Sequence, residues 1–294
     1  MGIYNKISVV FLMGLVIVMS GCTTPWGNGE KEPTMAAGTQ GVVIEYFGPD
    51  VEYPVPDQNI DIKVRVKNVG GAEATEVKGT PYLLAWSNYT GTKECSSTKL
   101  EQPNIEMGKE GEECTVKWSL KTPKDITETQ TYDAGVHITY KYKTTTLATV
   151  YAFSDSEYVK LKERGETIPT VKDIKNSNAP IHVEIRMQNV LRTGNKDIPI
   201  TLIFRNVGNG NVNYENYRYK LDKVSAEIKG LGIDITTTDC DTVYMKGGKE
   251  GSCTASLDLS SVTNDELKIP IKITTEYTYT TSAETKITVH PKLT

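Results

Sequence analysis

Four cysteines are the residues whose spacing constrains their chemistry best. Cys95 and Cys114 lie in the first half of the chain, and Cys240 and Cys253 lie in the second. With Cys22 near the N-terminus set aside, two of the five cysteines remain in each half and predict one disulfide per half, although three pairings are formally possible. A four-cysteine zinc site is the competing interpretation, but such sites usually contain C-x₂₋₄-C pairs, which this chain lacks. The spacing therefore favours structural disulfides in an oxidising compartment over a metal centre.

Residues that could perform catalysis do not form a recognisable motif. The Gly-x-Ser-x-Gly, His-Glu-x-x-His and Cys-x-x-Cys patterns are absent, and the glycine-rich run 207–212 lies between predicted strands rather than before a helix. Glu112 and Glu113 could act as acid and base on a glycoside, and Asp239 and Asp241 could join a calcium site, but solvated loops explain both pairs more simply. The histidines lie far apart in the sequence, at His137, His182 and His290. We predict that the chain is not an enzyme and holds no cofactor or metal.

Tyrosines are the residues best suited to binding. Tyr214, Tyr217 and Tyr219 cluster in a segment with little alternation, and exposed tyrosines offer large amphipathic contact areas. We therefore predict a ligand surface there. Two Tyr-x-Tyr pairs, Tyr140–Tyr142 and Tyr277–Tyr279, recur at matching places in the two halves of the chain. Because alternate residues of a strand share one face, these pairs are predicted to pack in a core.

One position fits a covalent modification of the surface. Asn88, Tyr89 and Thr90 form an N-glycosylation sequon in a polar stretch. A sequon of this length also arises by chance, so glycosylation at Asn88 is a hypothesis that depends on the cellular compartment.

The N-terminus provides an indication of that compartment. Lys6 precedes an apolar run from Ile7 to Met19, and Ser20 and Gly21 then lead into Cys22. The run is shorter than the roughly 17–25 residues that span a bilayer as a helix. The pattern resembles a lipoprotein signal peptide, although Met19 stands where that motif has Leu, Val or Ile. The resemblance implies removal of residues 1–21, lipid on Cys22, and attachment to the membrane outside the cytoplasm. An ordinary cleaved signal and an uncleaved anchor are the alternatives.

Composition narrows the class of protein further. The net charge is −4 at pH 7, and no run of Lys or Arg indicates nucleic-acid binding. Phenylalanine is scarce, whereas threonine, valine, isoleucine and tyrosine suit the half-exposed surface of a sheet. The length after residue 21 suits two domains better than one small core.

The two halves of the chain repeat one unit. Three landmarks recur in the same order at offsets of about 137 to 140 residues. These landmarks are Val66–Gly71 with Phe204–Asn209, Met107–Thr115 with Met245–Thr254, and Tyr140–Thr145 with Tyr277–Ser282. A tandem duplication makes the local pairings Cys95–Cys114 and Cys240–Cys253 the expected ones. The offset between Cys95 and Cys240 is larger, so a loop before the second of these cysteines has changed length.

The hydrophobic pattern within each unit has the period of a strand. Residues 60–67 alternate strictly between apolar and charged side chains, and residues 181–187 do so nearly as strictly. Apart from a weak candidate at 158–164, the chain after residue 21 shows no amphipathic helix. Such strands predict two tandem antiparallel immunoglobulin-like β-sandwiches. The predicted boundaries are a signal peptide at 1–21, a tether at 22–40, a first domain at 41–161, a linker at 162–179 and a second domain at 180–294.

The beginning of each unit resembles a known family of surface modules. Ile44–Pro49, the alternating strand Ile60–Lys67 and the turn Asn68-Val69-Gly70 look like CARDB and related archaeal or bacterial immunoglobulin-like modules. The resemblance covers about the first third of each repeat and implies a role in adhesion, surface display, or contact with carbohydrate or protein. The paired cysteines depart from the usual family pattern, which puts the topology at the sheet edges in question.

These observations support three hypotheses about function. The first is a non-enzymatic surface lipoprotein whose duplicated domains bind a cell-envelope protein or glycan. The second is a structural or assembly subunit of an envelope layer or filament, joined through edge strands. The third is an accessory part of a hydrolase or a transporter's binding lipoprotein, which the absence of alternating helices disfavours.

Overall fold

Extended strands make up most of the chain that the computed structural model describes, namely residues 38–87, 89, 91–229 and 231–292. The first half contains β1 (Val42–Pro49), β2 (Asn59–Asn68), β3 (Ala74–Tyr82), β4 (Lys93–Glu94), β5 (Lys99–Leu100), β6 (Glu113–Lys121) and β7 (Gln130–Phe153). The second half contains β8 (Val171–Asn176), β9 (Ile181–Arg186), β10 (Leu191–Arg192), β11 (Ile198–Asn206), β12 (Asn211–Val212), β13 (Tyr214–Glu215), β14 (Arg218–Leu221), β15 (Lys223–Glu227), β16 (Asp234–Thr238), β17 (Val243–Met245), β18 (Glu250–Asp258) and β19 (Glu266–Val289). The 3₁₀ turn Ala85–Ser87 and the helix α1 (Asp155–Glu163) complete the described elements. The predicted all-β fold is confirmed.

The strands form where the sequence alternates. Every second residue of β6 is buried, and β2 shows the same alternation over nearly its whole length. Each of these strands therefore presents one face to a core and the other to water. The helix α1 is short and polar, so the sequence pattern indicated it only weakly. Ser154 caps it by accepting a hydrogen bond from the Glu157 N–H at 3.2 Å, and Leu161 is its buried residue.

The strands are arranged in four sheets. One has the order β1-β2-β6, a second has the order β16-β18-β11-β9, and a small third has the order β13-β14-β17. The fourth and largest has β12-β19-β7-β3-β4 as its main path, with β5, β8, β10 and β15 attached. The pairings are antiparallel except for the short parallel pairing of β10 with β7.

The last strands of the two repeats form the centre of the largest sheet. β7 and β19 pair antiparallel along their whole length, from Gln130 opposite Val289 to Phe153 opposite Glu266. Because Tyr140 of the first repeat corresponds to Tyr277 of the second, the pairing is symmetric about Lys141 and Thr278, which lie opposite each other. The two repeats are thus related like the subunits of a dimer with an isologous interface. We call this local twofold axis the dyad.

The two halves are joined at the dyad by the backbone hydrogen bonds between β7 and β19. β3 pairs with β7 on one side of it, and β15 pairs with β19 on the other. Residues 171–176, within the predicted linker, form β8 and pair with β7. Most buried core residues of both halves form one contiguous cluster, and Tyr151, Phe153 and Leu161 form a second, smaller one. The boundaries placed at 161 and 180 stay a prediction.

Two disulfides close the loops beside the sheets. Cys95 is bonded to Cys114 in β6, and Cys240 is bonded to Cys253 in β18. These are the local pairs that the duplication predicts, and their Cα atoms lie 5.9 and 5.3 Å apart. Disulfides persist in oxidising environments outside the cytoplasm, so they support that location. Within the described residues, no helix has the length and apolar character needed to cross a membrane.

Candidate ligand-binding surface

The repeated Tyr-x-Tyr pairs lie in the core, as predicted. Tyr140, Tyr142, Tyr277 and Tyr279 are each at most 3% exposed. Tyr142 lies opposite Tyr277, and Tyr140 lies opposite Tyr279, on the buried face of the β7–β19 ladder. Burial raises the pKa of all four phenols above the usual value. These tyrosines therefore stabilise the junction of the repeats and expose almost none of their surface.

The Asn-x-Gly turns form matching clasps around these tyrosines. Asn68 donates to the carbonyl oxygens of Ala72 and Leu100, each at 2.8 Å. The hydroxyl of Tyr142 accepts from the Ala72 N–H at 3.1 Å and donates to Asn68 Oδ1 at 3.4 Å. A buried amide and a buried phenol therefore form hydrogen bonds with the backbone groups of this turn.

The second repeat reproduces this arrangement. Asn206 donates to the carbonyl oxygens of Gly210 and Gly248. The hydroxyl of Tyr279 accepts from the Gly210 N–H at 2.8 Å and donates to Asn206 Oδ1 at 2.9 Å. The motif that carried the family resemblance thus has a structural role.

The predicted ligand tyrosines lie on a hairpin that the first repeat lacks. By the symmetry of the dyad, Asn213 is equivalent to Thr75, and Lys223 is equivalent to Lys78. These positions are three residues apart in the first repeat and ten in the second, so seven residues are inserted. The first repeat has a β-bulge at this point. Insertions confined to one repeat often form binding surfaces.

The inserted hairpin, β13 and β14, holds Tyr217 at its tip. Asn216 and Tyr217 have φ angles of 50° and 62°, as in a type I′ turn. Glycine is favoured at the second position of that turn because a left-handed conformation costs about 1–2 kcal/mol for other residues. Tyr217 adopts it nonetheless, and the residue is 91% exposed. Residues held in strained backbone conformations cluster at functional sites.

Two more tyrosines extend the exposed surface of the hairpin. Tyr214 is 57% exposed, and its ring centroid lies 4.8 Å from that of Tyr219. Tyr244, on the neighbouring strand β17, is 54% exposed. The guanidinium of Arg218 lies 5.0 Å from the centre of the Tyr244 ring. Sequence reasoning missed Tyr244, since only the pairing of β14 with β17 brings it beside the hairpin.

The base of the hairpin is held firmly. Tyr219 is half-buried and packs against the core, and Leu221 of β14 lies opposite Val243 of β17, with both side chains buried. Lys220 Nζ lies 2.5 Å from Glu215 Oε2, and the Glu215 carboxylate raises the pKa of the Lys220 ammonium. The structure therefore brings Tyr214, Tyr217 and Tyr219 onto one hairpin, with Tyr214 and Tyr217 accessible and Tyr219 supporting them.

A polar groove begins where the hairpin rejoins the sheet. Its volume is about 490 Å³, and it runs over the dyad, with Tyr142 and Tyr277 among the residues that line it. Asp222, the residue after β14, lies in its wall and accepts from the Thr278 hydroxyl at 3.0 Å. Lys143 and Glu276, which lie opposite each other on β7 and β19, also line it. The groove places hydrogen-bonding and charged groups of both signs beside the aromatic hairpin.

The carboxylates considered for acid–base catalysis or calcium binding lie beside neighbouring strands and turns. Glu112 Oε2 accepts from the Glu101 N–H at 3.0 Å, and Glu113 lies 3.1 Å from Lys67 Nζ. Asp239 and Asp241 flank Cys240 at a turn, where Asp239 has a φ of 57°. Among the described residues, no group of three or more His, Cys, Asp or Glu side chains has the geometry of a metal site.

The histidines contact separate partners. His137 Nδ1 lies 2.7 Å from the Ser282 hydroxyl, and His182 Nε2 lies 3.0 Å from the Gly38 carbonyl oxygen. The ring of His290 packs edge-on against Tyr53. The His137 ring also stacks on Tyr82, with 4.2 Å between the ring centroids.

Two predicted modification sites lie outside the described residues. These are Cys22, the predicted lipid attachment site, and Asn88, the predicted glycosylation site. Both stay predictions from the sequence.

Comparisons with known proteins leave the family open. No protein-family model matches the chain, and no curated protein matches it at a significant level. Among solved structures, the C-terminal globular domain of an oligosaccharyltransferase from Pyrococcus abyssi aligns with 86% of this chain and 50% of its own, at 11% identity and a TM-score of 0.25. The chain thus spans half the length of that structure. A TM-score this low carries no argument about fold or function.

Proposed function

We propose that this chain is a non-enzymatic, extracytoplasmic binding protein, anchored to the membrane through lipid on Cys22. In this proposal the two repeats are immunoglobulin-like modules related to CARDB, and the hairpin of the second repeat contacts a cell-envelope protein or glycan. The single observation that carries the binding role is Tyr217, a strained and exposed aromatic residue on a hairpin that only one repeat has.

The chemistry of the hairpin suits a partner with both apolar and polar groups. Tyr214, Tyr217 and Tyr244 supply exposed ring faces and hydroxyl groups. Tyrosine loses little conformational entropy for the area it contributes, and it is enriched among residues that dominate binding energy. The groove that begins at Asp222 adds charged and hydrogen-bonding groups. A peptide segment or a sugar chain lying from the hairpin tip into the groove would meet both.

The binding role can be tested on the purified protein with a substitution that should not harm folding. Tyr217→Gly removes the ring and places the favoured residue in the left-handed turn position. We expect at least a tenfold loss of binding to isolated envelope fractions and purified envelope glycans. The matched control is Tyr53→Gly, which removes another exposed ring far from the hairpin in the sequence. Equal binding by wild type and Tyr217→Gly would contradict the proposal.

The anchor requires a separate measurement. We expect the intact mass of protein extracted from its native membrane to match a chain that begins at Cys22 and carries lipid. Four cysteines should become alkylated only after reduction. A full-length mass with free thiols would exclude both the anchor and the oxidising compartment.

A further inference from the structure

The two repeats differ at one edge of a sheet, because β18 has a further strand beside it and, among the described residues, its counterpart β6 does not. In the second repeat, β16 pairs with β18 from Asp234 opposite Asp258 to Thr238 opposite Thr254. In the first repeat, β4 lies just before Cys95, as β16 lies just before Cys240, and β4 pairs with β3 in the largest sheet. No described strand therefore covers the outer edge of β6, the counterpart of β18.

The uncovered edge of β6 has the pattern of a strand that accepts a partner. The Lys93 ammonium donates to the Lys117 carbonyl oxygen at 2.8 Å, so the backbone of Lys117 faces outward. A second strand centred here would replace the Lys93 side chain as the partner of that oxygen. Because N–H and C=O groups of alternate residues point to the same side, the backbones of Thr115 and Ser119 face outward too. The side chains of these three residues are exposed. A row of outward N–H and C=O groups is a template for another strand.

The sequence of β6 is complementary to itself. If two copies pair antiparallel about Lys117, Glu113 of each copy lies opposite Lys121 of the other, and Thr115 lies opposite Ser119. Opposite charges at facing positions stabilise a strand pair. Glu113 already contacts Lys67, and Lys121 contacts Asp57, so each end of the paired strands becomes a row of alternating charges.

The centre of the pairing is the one position where like charges meet. Each Lys117 lies 3.3 Å from Asp61 of its own chain, which offsets its charge. Lysines on an exposed edge also guard against indiscriminate pairing. The edge therefore tolerates a partner whose charges match in one register and disfavours a random strand.

We propose that the outer edge of β6 docks β6 of a second copy of this chain, in an antiparallel pairing centred on Lys117. The pairing extends the β1-β2-β6 sheet into a six-stranded sheet that crosses two molecules. Such a pairing would provide the contact surface for the second hypothesis, an assembly subunit of an envelope layer or filament. It does not depend on the hairpin of Tyr217.

Cysteine cross-linking of the full chain in its membrane tests the proposed register. Lys117→Cys places two thiols opposite each other across the proposed axis, and we expect a covalent dimer under mild oxidation. The matched control is Ser256→Cys, because Ser256 holds the equivalent position on β18, where β16 already occupies the edge. Cross-linking of Ser256→Cys equal to that of Lys117→Cys, or no dimer from either, would overturn the proposal.

A backbone substitution provides the second test. Lys117→Pro removes an outward N–H, which an edge strand tolerates, and we expect at least a tenfold weaker self-association of the detergent-solubilised full chain. Lys117→Ala keeps the N–H and should still associate. Tyr217→Gly should leave association unchanged, so failure of this inference and failure of the proposed ligand surface can be distinguished. A monomer at every concentration, or association unaffected by Lys117→Pro, would refute the inference.

Discussion

Alkaline pH should unfold this protein through the four core tyrosines. Tyr140, Tyr142, Tyr277 and Tyr279 are buried, and burial raises the pKa of each phenol in the folded state. In the unfolded chain each phenol ionises near pH 10. Above that pH the folded state binds more protons than the unfolded state, so stability falls as pH rises. Below about pH 10 the contribution is fully present.

The size of the effect follows from the number of buried phenols. Each group that stays protonated only in the folded state lowers the free energy of unfolding by about 1.4 kcal/mol per pH unit. The three most deeply buried phenols, those of Tyr140, Tyr142 and Tyr277, together lower it by about 4 kcal/mol per unit above pH 10, and Tyr279 adds to this with the same sign. Because single domains are stable by about 5–15 kcal/mol, we expect unfolding within one to a few pH units above 10.

Denaturant titrations from neutral pH to about pH 11 would measure this slope. Circular dichroism would follow the folded sheets, and phenolate absorbance would follow ionisation. Several exposed lysines also have a raised pKa because of nearby carboxylates. Their deprotonation also lowers stability as pH rises, so it must be distinguished from the effect of the tyrosines. Tyr277→Phe should lower the slope by about 1.4 kcal/mol per pH unit, because Tyr277 is one of the buried phenols. Ionisation of every tyrosine before the sheets unfold would refute the reasoning, as would an unchanged slope in Tyr277→Phe.

Further predictions concern the disulfides, the hairpin turn and the clasps. Replacing both cysteines of Cys95–Cys114 or of Cys240–Cys253 with alanine should cost about 3 kcal/mol for each bond, and a change below about 1 kcal/mol in denaturant titrations would contradict the loop-entropy argument. Tyr217→Gly should raise the free energy of unfolding by about 1 kcal/mol because it relieves the left-handed strain, while the same variant loses ligand; a loss of stability would contradict the assigned turn. Asn68→Ala should destabilise by about 2 kcal/mol or more, since it leaves two buried carbonyl groups and a backbone N–H without a partner. Asn206→Ala should destabilise the protein less, because the surroundings of Asn206 are only partly buried. Thermal unfolding of the two variants side by side would measure the order, and a larger loss in Asn206→Ala would contradict the prediction.

The sequence by itself determined the local structure and the duplication. Strict alternation at residues 60–67 predicts a half-buried strand because side chains of a strand alternate between its faces, and β2 forms there. The Tyr-x-Tyr pairs carried enough pattern to predict their burial, and the equal division of cysteines between the repeats indicated the two local disulfides. The anomalous spacing of Cys95 and Cys240 showed that one loop had changed length, but it could not show the new conformation.

Only the tertiary structure decided how the repeats combine and which surfaces remain open. Pairing of β7 with β19 depends on residues far apart in the sequence, and alternation within either strand says nothing about its neighbour. The seven residues inserted in the second repeat form the hairpin that carries Tyr217. This hairpin lies beside Tyr244 because β14 pairs with β17. The equivalent segments before Cys95 and Cys240 joined different sheets, which left β6 uncovered while β16 covers β18. Local sequence sets the conformation of a segment, whereas competition among all possible strand partners sets its place in a sheet.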